Sequence, residues 1–219
     1  MVNNVVIMGL QNTGTNLLQK IFNAKTHGPK PNGHSHTPSY SHGYKLINNQ
    51  YLWKHTPEFP LLNYHVKNNP NTIFIFTYRN ITPWLFSMKE KPYETKFDGN
   101  ITKLLTGTRY KHLNTNIIHL YLDTLYNYLN LIKTYKNCIF VNYDKFSKHD
   151  YEYYQKIVKN LNIPIKTIDQ YNKIISIKWG SGGKRRNLPI KKRTYILPKQ
   201  FKWIERIPRI KYLNKFYNS

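Results

Sequence analysis

The turn Gly9-Leu10-Gln11-Asn12-Thr13-Gly14-Thr15-Asn16 carries two glycines at the spacing of a P-loop. In that arrangement backbone N–H groups and the start of a helix surround an anionic phosphate. A Mg²⁺-dependent nucleotide hydrolase also needs lysine, then Ser or Thr, directly after the second glycine. Thr15 and Asn16 stand there instead, which argues against an ordinary NTPase. A second constellation is Tyr78-Arg79-Asn80-Ile81-Thr82-Pro83-Trp84-Leu85-Phe86-Ser87, with Arg79 at the end of an apolar run and Ser87 eight residues later. Arginine offers a planar fork of donors to phosphate, and a serine hydroxyl adds one more. Standing alone, such an arginine would be read as a surface ion pair. A third is Gly180-Ser181-Gly182-Gly183-Lys184-Arg185-Arg186, where backbone freedom sits beside three cations.

Other candidates carry less chemistry. His34-x-His36 has a spacing that zinc can use, but no cysteine or nearby acid joins it or its neighbours His27 and His42. No metal is expected. These histidines, with Lys25, Lys30 and Lys45, suit an acceptor-binding or solvated loop. Cys138 is the single cysteine, which excludes an internal disulfide and a cysteine-based zinc cluster.

The elements that must position these residues follow from periodicity. Val5-Val6-Ile7-Met8 is a buried strand ending at Gly9, and Thr15–Phe22 has helical spacing at Leu17, Leu18, Ile21 and Phe22. Residues 25–45, dense in Pro, Gly and His, form a long loop. A second strand is expected at Gln50–His55, with Thr56-Pro57-Glu58 opening a helix. Thr72–Tyr78 is apolar almost throughout, as a parallel strand covered on both faces should be. A helix from about Asn80 through Met88 follows, then a long one over Thr115–Lys133, a strand at Cys138–Val141, and a helix around Tyr154–Leu161. Strands alternating with helices predict an α/β fold, a three-layer sandwich around a parallel sheet, in one domain over residues 1–219. Residues 178–219 hold 13 Lys/Arg against Glu205 alone and read as a solvated basic tail or helix.

The whole chain of 219 residues has 34 Lys+Arg against 10 Asp+Glu, a net charge of +24. That field favours an anionic partner: phosphate, sulfate, nucleic acid or an anionic glycan. Abundant Lys, Asn, Ile and Tyr beside a lone alanine, Ala24, also fit an AT-rich coding sequence, which raises lysine without selection for binding. No apolar run is long enough to span a bilayer and no secretory signal opens the chain, so a cytoplasmic protein without membrane insertion is expected.

Together the constellations resemble the sulfotransferase superfamily that uses 3′-phosphoadenosine-5′-phosphosulfate (PAPS). Gln11-Asn12-Thr13-Gly14-Thr15 resembles its first loop, which grips the 5′-phosphosulfate, and Asn16 follows directly. Arg79 and Ser87 match its 3′-phosphate signature in spacing. Val141-Asn142-Tyr143-Asp144-Lys145-Phe146 is similar to its Tyr-Glu-Asp-Leu turn, which implies Tyr143 near the adenine. Gly180–Arg186 resembles its late basic loop, implying that Gly183, Lys184 and Arg185 close over the nucleotide. The resemblance runs in order over residues 5–186 and implies PAPS as co-substrate, 3′,5′-ADP as product, and a hydroxyl acceptor such as a glycan. Two positions depart from it: Asn12 replaces the loop lysine that stabilises the leaving phosphate, and Leu17 replaces an aromatic residue. Lys54 or Lys184 is the candidate to supply the missing cation.

In the resemblance the general base lies on or after the second strand, where Trp53-Lys54-His55-Thr56-Pro57-Glu58 stands. His55 is the first choice, since an imidazole titrates near neutrality. Glu58 is the reserve, because glycan-directed members often use a carboxylate. As ordinary structure, His55 would be a cap neighbour or a core histidine. Two other readings stay open: a P-loop phosphotransferase with Asp144 as a metal-holding carboxylate, and a non-catalytic nucleic-acid or polyanion binder using the basic C-terminus.

Overall fold

The computed structural model describes residues 4–24, 43–45, 51–53, 55, 59–90, 105, 116–146, 148, 150–161, 163–176, 178–179, 185–186, 195–197 and 199–218. Strand β1 (Asn4–Gly9) leads through a turn into helix α1 (Thr15–Ile21). Short strands β2 (Gly43–Lys45) and β3 (Tyr51–Trp53) precede α2 (Phe59–Asn68), β4 (Thr72–Tyr78) and α3 (Ile81–Glu90). Then come α4 (Ile117–Thr134), β5 (Cys138–Asn142), the single turn α5 (Tyr143–Phe146), α6 (Tyr151–Leu161) and α7 (Ile168–Ile175). Strands β6 (Lys178–Trp179) and β7 (Arg185–Arg186), a 3₁₀ helix (Lys199–Arg206) and α8 (Pro208–Asn218) complete the described elements.

The main sheet is parallel, in the order β1-β4-β5. All seven residues of β4 are buried, as a central strand with helices over both faces requires. Side chains alternate across it. Phe74, Phe76 and Tyr78 join Val6 and Met8 in the core under α2, α3, α4 and α8, while Ile73 and Ile75 join Ile7 and Val141 under α1, α6 and α7. The result is the expected three-layer α/β sandwich. Caps fix two helix starts: Asn116 Oδ1 accepts the Ile118 and His119 N–H groups at the head of α4, and Thr167 with Gln170 makes a capping box at α7.

Two sequence expectations need correction. Residues 51–53 are a strand, but they pair antiparallel with 43–45, at the end of the expected loop, and form a separate ribbon. The register is Gly43↔Trp53, Tyr44↔Leu52, Lys45↔Tyr51, and strands of three residues are too short to show an alternating pattern in the sequence. The C-terminal stretch is not a solvated tail over its described helices. Phe201 and Ile204 lie three apart on the 3₁₀ helix, and Ile210, Leu213 and Tyr217 follow helical spacing on α8; all five are buried. Tyr217 stacks on Tyr78 with centroids 4.6 Å apart and donates its hydroxyl proton to the Leu125 carbonyl at 2.9 Å. An apolar stripe between the cations had the deciding effect, since each such buried side chain contributes about 1.5–3 kcal/mol. Among the described residues no helix is long and apolar enough to cross a membrane.

Candidate functional site

Because β1, β4 and β5 run parallel, their carboxyl ends open onto one edge, where ligands of such sheets bind. The chain leaves those ends at Gly9, Tyr78 and Asn142, and the residues just beyond are Leu10–Gly14, Arg79 and Tyr143. The packing there is close. A Cβ on Gly9 would come within 1.8 Å of Thr77 Oγ1, and one on Gly14 within 2.0 Å of the Tyr143 ring. Gly14 also has φ +80°, which disfavours any side chain. Asn12 shares that left-handed region at φ 61°, which asparagine tolerates better than most residues.

Hydrogen bonds lock the turn to the sheet. Thr13 Oγ1 donates to the Leu10 carbonyl at 2.5 Å, so Thr77, whose Oγ1 is 2.6 Å away, is the donor in the threonine pair. Trp84 Nε1 on α3 donates to the Gln11 carbonyl at 2.8 Å. Asn12 joins three parts of the site. Its Nδ2 donates to the Ser87 carbonyl at 3.2 Å and lies 3.2 Å from Met88 Sδ, and its own carbonyl accepts from Arg79 Nη1 at 3.2 Å.

Arg79 is oriented from several sides. Nε faces Asp144 Oδ1 at 3.4 Å, and the Tyr121 hydroxyl donates to the Arg79 carbonyl at 2.8 Å. Asp144 is anchored more tightly elsewhere, because its Oδ2 accepts from Asn80 N at 3.0 Å and Asn80 Nδ2 at 3.2 Å. The rings of Tyr143 and Tyr195 lie 5.3 Å and 5.9 Å from the guanidinium carbon, within cation–π reach. Burial pushes the Tyr143 phenol up from its ordinary value although Arg79 pulls it down, so it stays a protonated donor at neutral pH.

His55 reaches the same edge. Its Nδ1 is 2.6 Å from the Gly9 carbonyl. A carbonyl only accepts, so in the neutral ring Nδ1 holds the proton and Nε2 is the basic nitrogen. His55 is thereby tied to the end of β1, where the turn begins.

Of the residues expected from the sequence, Gln11, Asn12, Thr13, Gly14, Arg79, Ser87, Tyr143 and His55 converge on this edge. Thr13 and Thr15 are buried, with the Thr13 hydroxyl committed to the core, while Asn16 is half-buried at the start of α1. Arg185 lies in β7 opposite Trp179. Lys54, Glu58, Gly183, Lys184 and the histidines at 27, 34, 36 and 42 lie outside the described residues. Asp144 as partner of Arg79, with Thr77, Asn80 and Tyr195, is an addition of the structure. Thr77 has a visible signal, a hydroxyl at the end of an apolar strand. Tyr195 has none.

No family model matches the chain, and no curated protein does. Among solved structures it is similar to mouse sulfotransferase SULT7A1 complexed with PAP. The TM-score is 0.54 and the identity 14%, over 99% of this chain and 83% of that one. At that identity the likeness is one of architecture: this chain has a sulfotransferase-like fold.

Proposed function

We propose that this protein is a PAPS-dependent sulfotransferase acting on an acceptor hydroxyl, such as that of a glycan. The observation that carries the reading is Arg79, held at the end of β4 between the Asn12 carbonyl and Asp144, with Tyr143 against it. Nε and one Nη1 proton are engaged there, which leaves the other guanidinium N–H groups as donors for a phosphate. The donor set suits a nucleotide with a 3′-phosphate: a guanidinium and the Ser87 hydroxyl, with Tyr143 as the ring that the resemblance implies near the adenine. PAPS supplies an activated sulfuryl group, whose S–O bond to the phosphate breaks as the bond to the acceptor oxygen forms. His55 Nε2 takes the acceptor proton, and the Gly9 carbonyl fixes the tautomer that makes this possible. The turn holds the phosphate end through backbone groups, and Thr77 keeps that turn in place through Thr13.

The phosphotransferase reading is weaker, because the Asp144 oxygens already serve Arg79 and Asn80. One thermal-shift series separates the two. Saturating 3′,5′-ADP, at a hundredfold excess over Kd, stabilises by about 2.7 kcal/mol. That corresponds to roughly 5–10 °C for a chain of this length. 5′-AMP and Mg²⁺-ATP should give smaller shifts, and Arg79→Ala should remove most of the difference between 3′,5′-ADP and 5′-AMP. Equal shifts with these two ligands would sink the reading, and Mg²⁺-dependent ATP turnover would replace it.

A further inference from the structure

The face made by α4 and α8 carries a row of contacts separate from the strand-end site. Tyr126 on α4 and Tyr212 on α8 stack with centroids 6.1 Å apart and planes 14° from parallel. The Arg209 guanidinium lies 5.7 Å from the Tyr126 ring. Lys133 Nζ lies 6.0 Å from the Tyr212 ring and donates to its hydroxyl at 3.3 Å. Arg209, Tyr126 and Tyr212 thus form a cation–ring–ring contact across the two helices, and Lys133 meets it end-on at the Tyr212 hydroxyl. The contact is open to solvent: Tyr212 is 45% exposed, and Lys133 and Arg209 are exposed too.

The surrounding charge is mostly positive, with the exposed Asp123 one turn before Tyr126 on α4 as an exception. Lys211 and Lys215 are exposed on α8, and Lys199, Lys202 and Arg206 are exposed on the 3₁₀ helix before it. The acid of that stretch, Glu205, accepts a hydrogen bond from Thr82 on α3. Trp203, 54% exposed, sits one 3₁₀ turn before Arg206, so the two share a face. The row also leads away from the sheet edge that holds Arg79. Tyr121 on α4 touches Arg79, and Lys133 lies twelve residues further along the same helix. That is a distance of about 18 Å.

We propose that this face binds single-stranded nucleic acid, with phosphates on Arg209, Lys133 and the α8 lysines and a base on the exposed ring of Tyr212. Exposed aromatic rings set among cations are what single strands need, because every unpaired base has a stackable face and a phosphate beside it. A duplex hides those faces, and a sulfated glycan has charge but no aromatic plane. The net charge of +24 speeds encounter with any of them, so the ring carries the distinction.

The test is fluorescence anisotropy of the full chain with a labelled oligothymidylate, with heparin titrated in parallel. The oligothymidylate should bind with an affinity that falls linearly in log–log form as salt rises, and Arg209→Ala should reduce that slope by about 0.7. Tyr212→Ala should weaken binding about tenfold at unchanged slope, and Tyr212→Phe should restore it, as expected for stacking on a ring. Heparin affinity should be indifferent to Tyr212→Ala. Saturating 3′,5′-ADP should leave oligothymidylate binding intact, so this result stands or falls apart from the sulfotransferase reading. The proposal is overturned if Tyr212→Ala binds like wild type, if it weakens heparin equally, or if 3′,5′-ADP competes.

Discussion

Asn12 occupies the position where the resembled family has lysine, and its amide already has a role, bridging to Ser87 on α3. A neutral amide cannot offset the negative charge that grows on a leaving phosphate. Restoring a charge-stabilising donor at such a place is worth about 10²–10³ in rate. Asn12→Lys should therefore raise single-turnover sulfuryl transfer by about 10²-fold, with 3′,5′-ADP affinity changed much less. It should also lower the melting temperature slightly, because lysine tolerates φ 61° less well and loses the Ser87 bond. A flat or reduced rate, with a loss of activity in Lys54→Ala or Lys184→Ala, would mean that a cation is already supplied from there. For the base, His55→Ala should cost about 10²–10⁴ in transfer while keeping the 3′,5′-ADP thermal shift. Glu58→Gln should keep both. The reverse pattern assigns the base to Glu58.

At the scale of elements, the turn between β1 and α1 and the head of α5 are fitted to each other. Gly14→Ala puts a methyl group against the Tyr143 ring and an alanine at φ +80°. The backbone part alone costs about 1–2 kcal/mol. Urea unfolding should show more than that in the wild-type background, and close to the backbone part once Tyr143→Ala has made room. Additive losses would mean the ring simply moves aside. The same comparison shows what a sequence reveals about such a site. Strand β4 is legible because seven consecutive residues suit burial, and Arg79 and Ser87 stand out by type and spacing. The ribbon of β2 and β3 is not legible, since three-residue strands carry too little periodicity. The bond from Asn12 to Ser87 uses the serine carbonyl, a group every residue has. The tie from Arg79 to Asp144 spans 65 residues, so only the folded sheet brings the pair together.

For the molecule as a whole, pH enters through His65. It is 1% exposed on α2, burial lowers its affinity for a proton, and its Nε2 has no hydrogen-bond partner among the described residues. The unfolded chain, with an ordinary histidine value of 6.5, therefore takes up a proton before the folded one does. Stability from this residue is complete above that value and declines as the pH falls through it toward the lowered folded value. Chemical denaturation at pH 7.5 and 5.5 should show the loss, and His65→Gln should reduce the difference between the two. An unchanged pH dependence in His65→Gln would shift the cause to other groups.

The stack of Tyr217 on Tyr78, with Asn214 2.5 Å from the Tyr78 hydroxyl, also sets an order in time. The central strand leaves the ribosome 136 residues ahead of Asn214. At 5–20 residues per second this is roughly 7–27 s of synthesis. Throughout that interval one side of the sheet lacks its α8 cover, and the nascent chain presents Tyr78 and Phe140 to whatever is nearby. Translation speed over the last helix should therefore govern the yield of native protein more than translation speed over the first. Slow codons placed within 208–218 should lower soluble yield, and a chaperone that shields apolar strands should restore it.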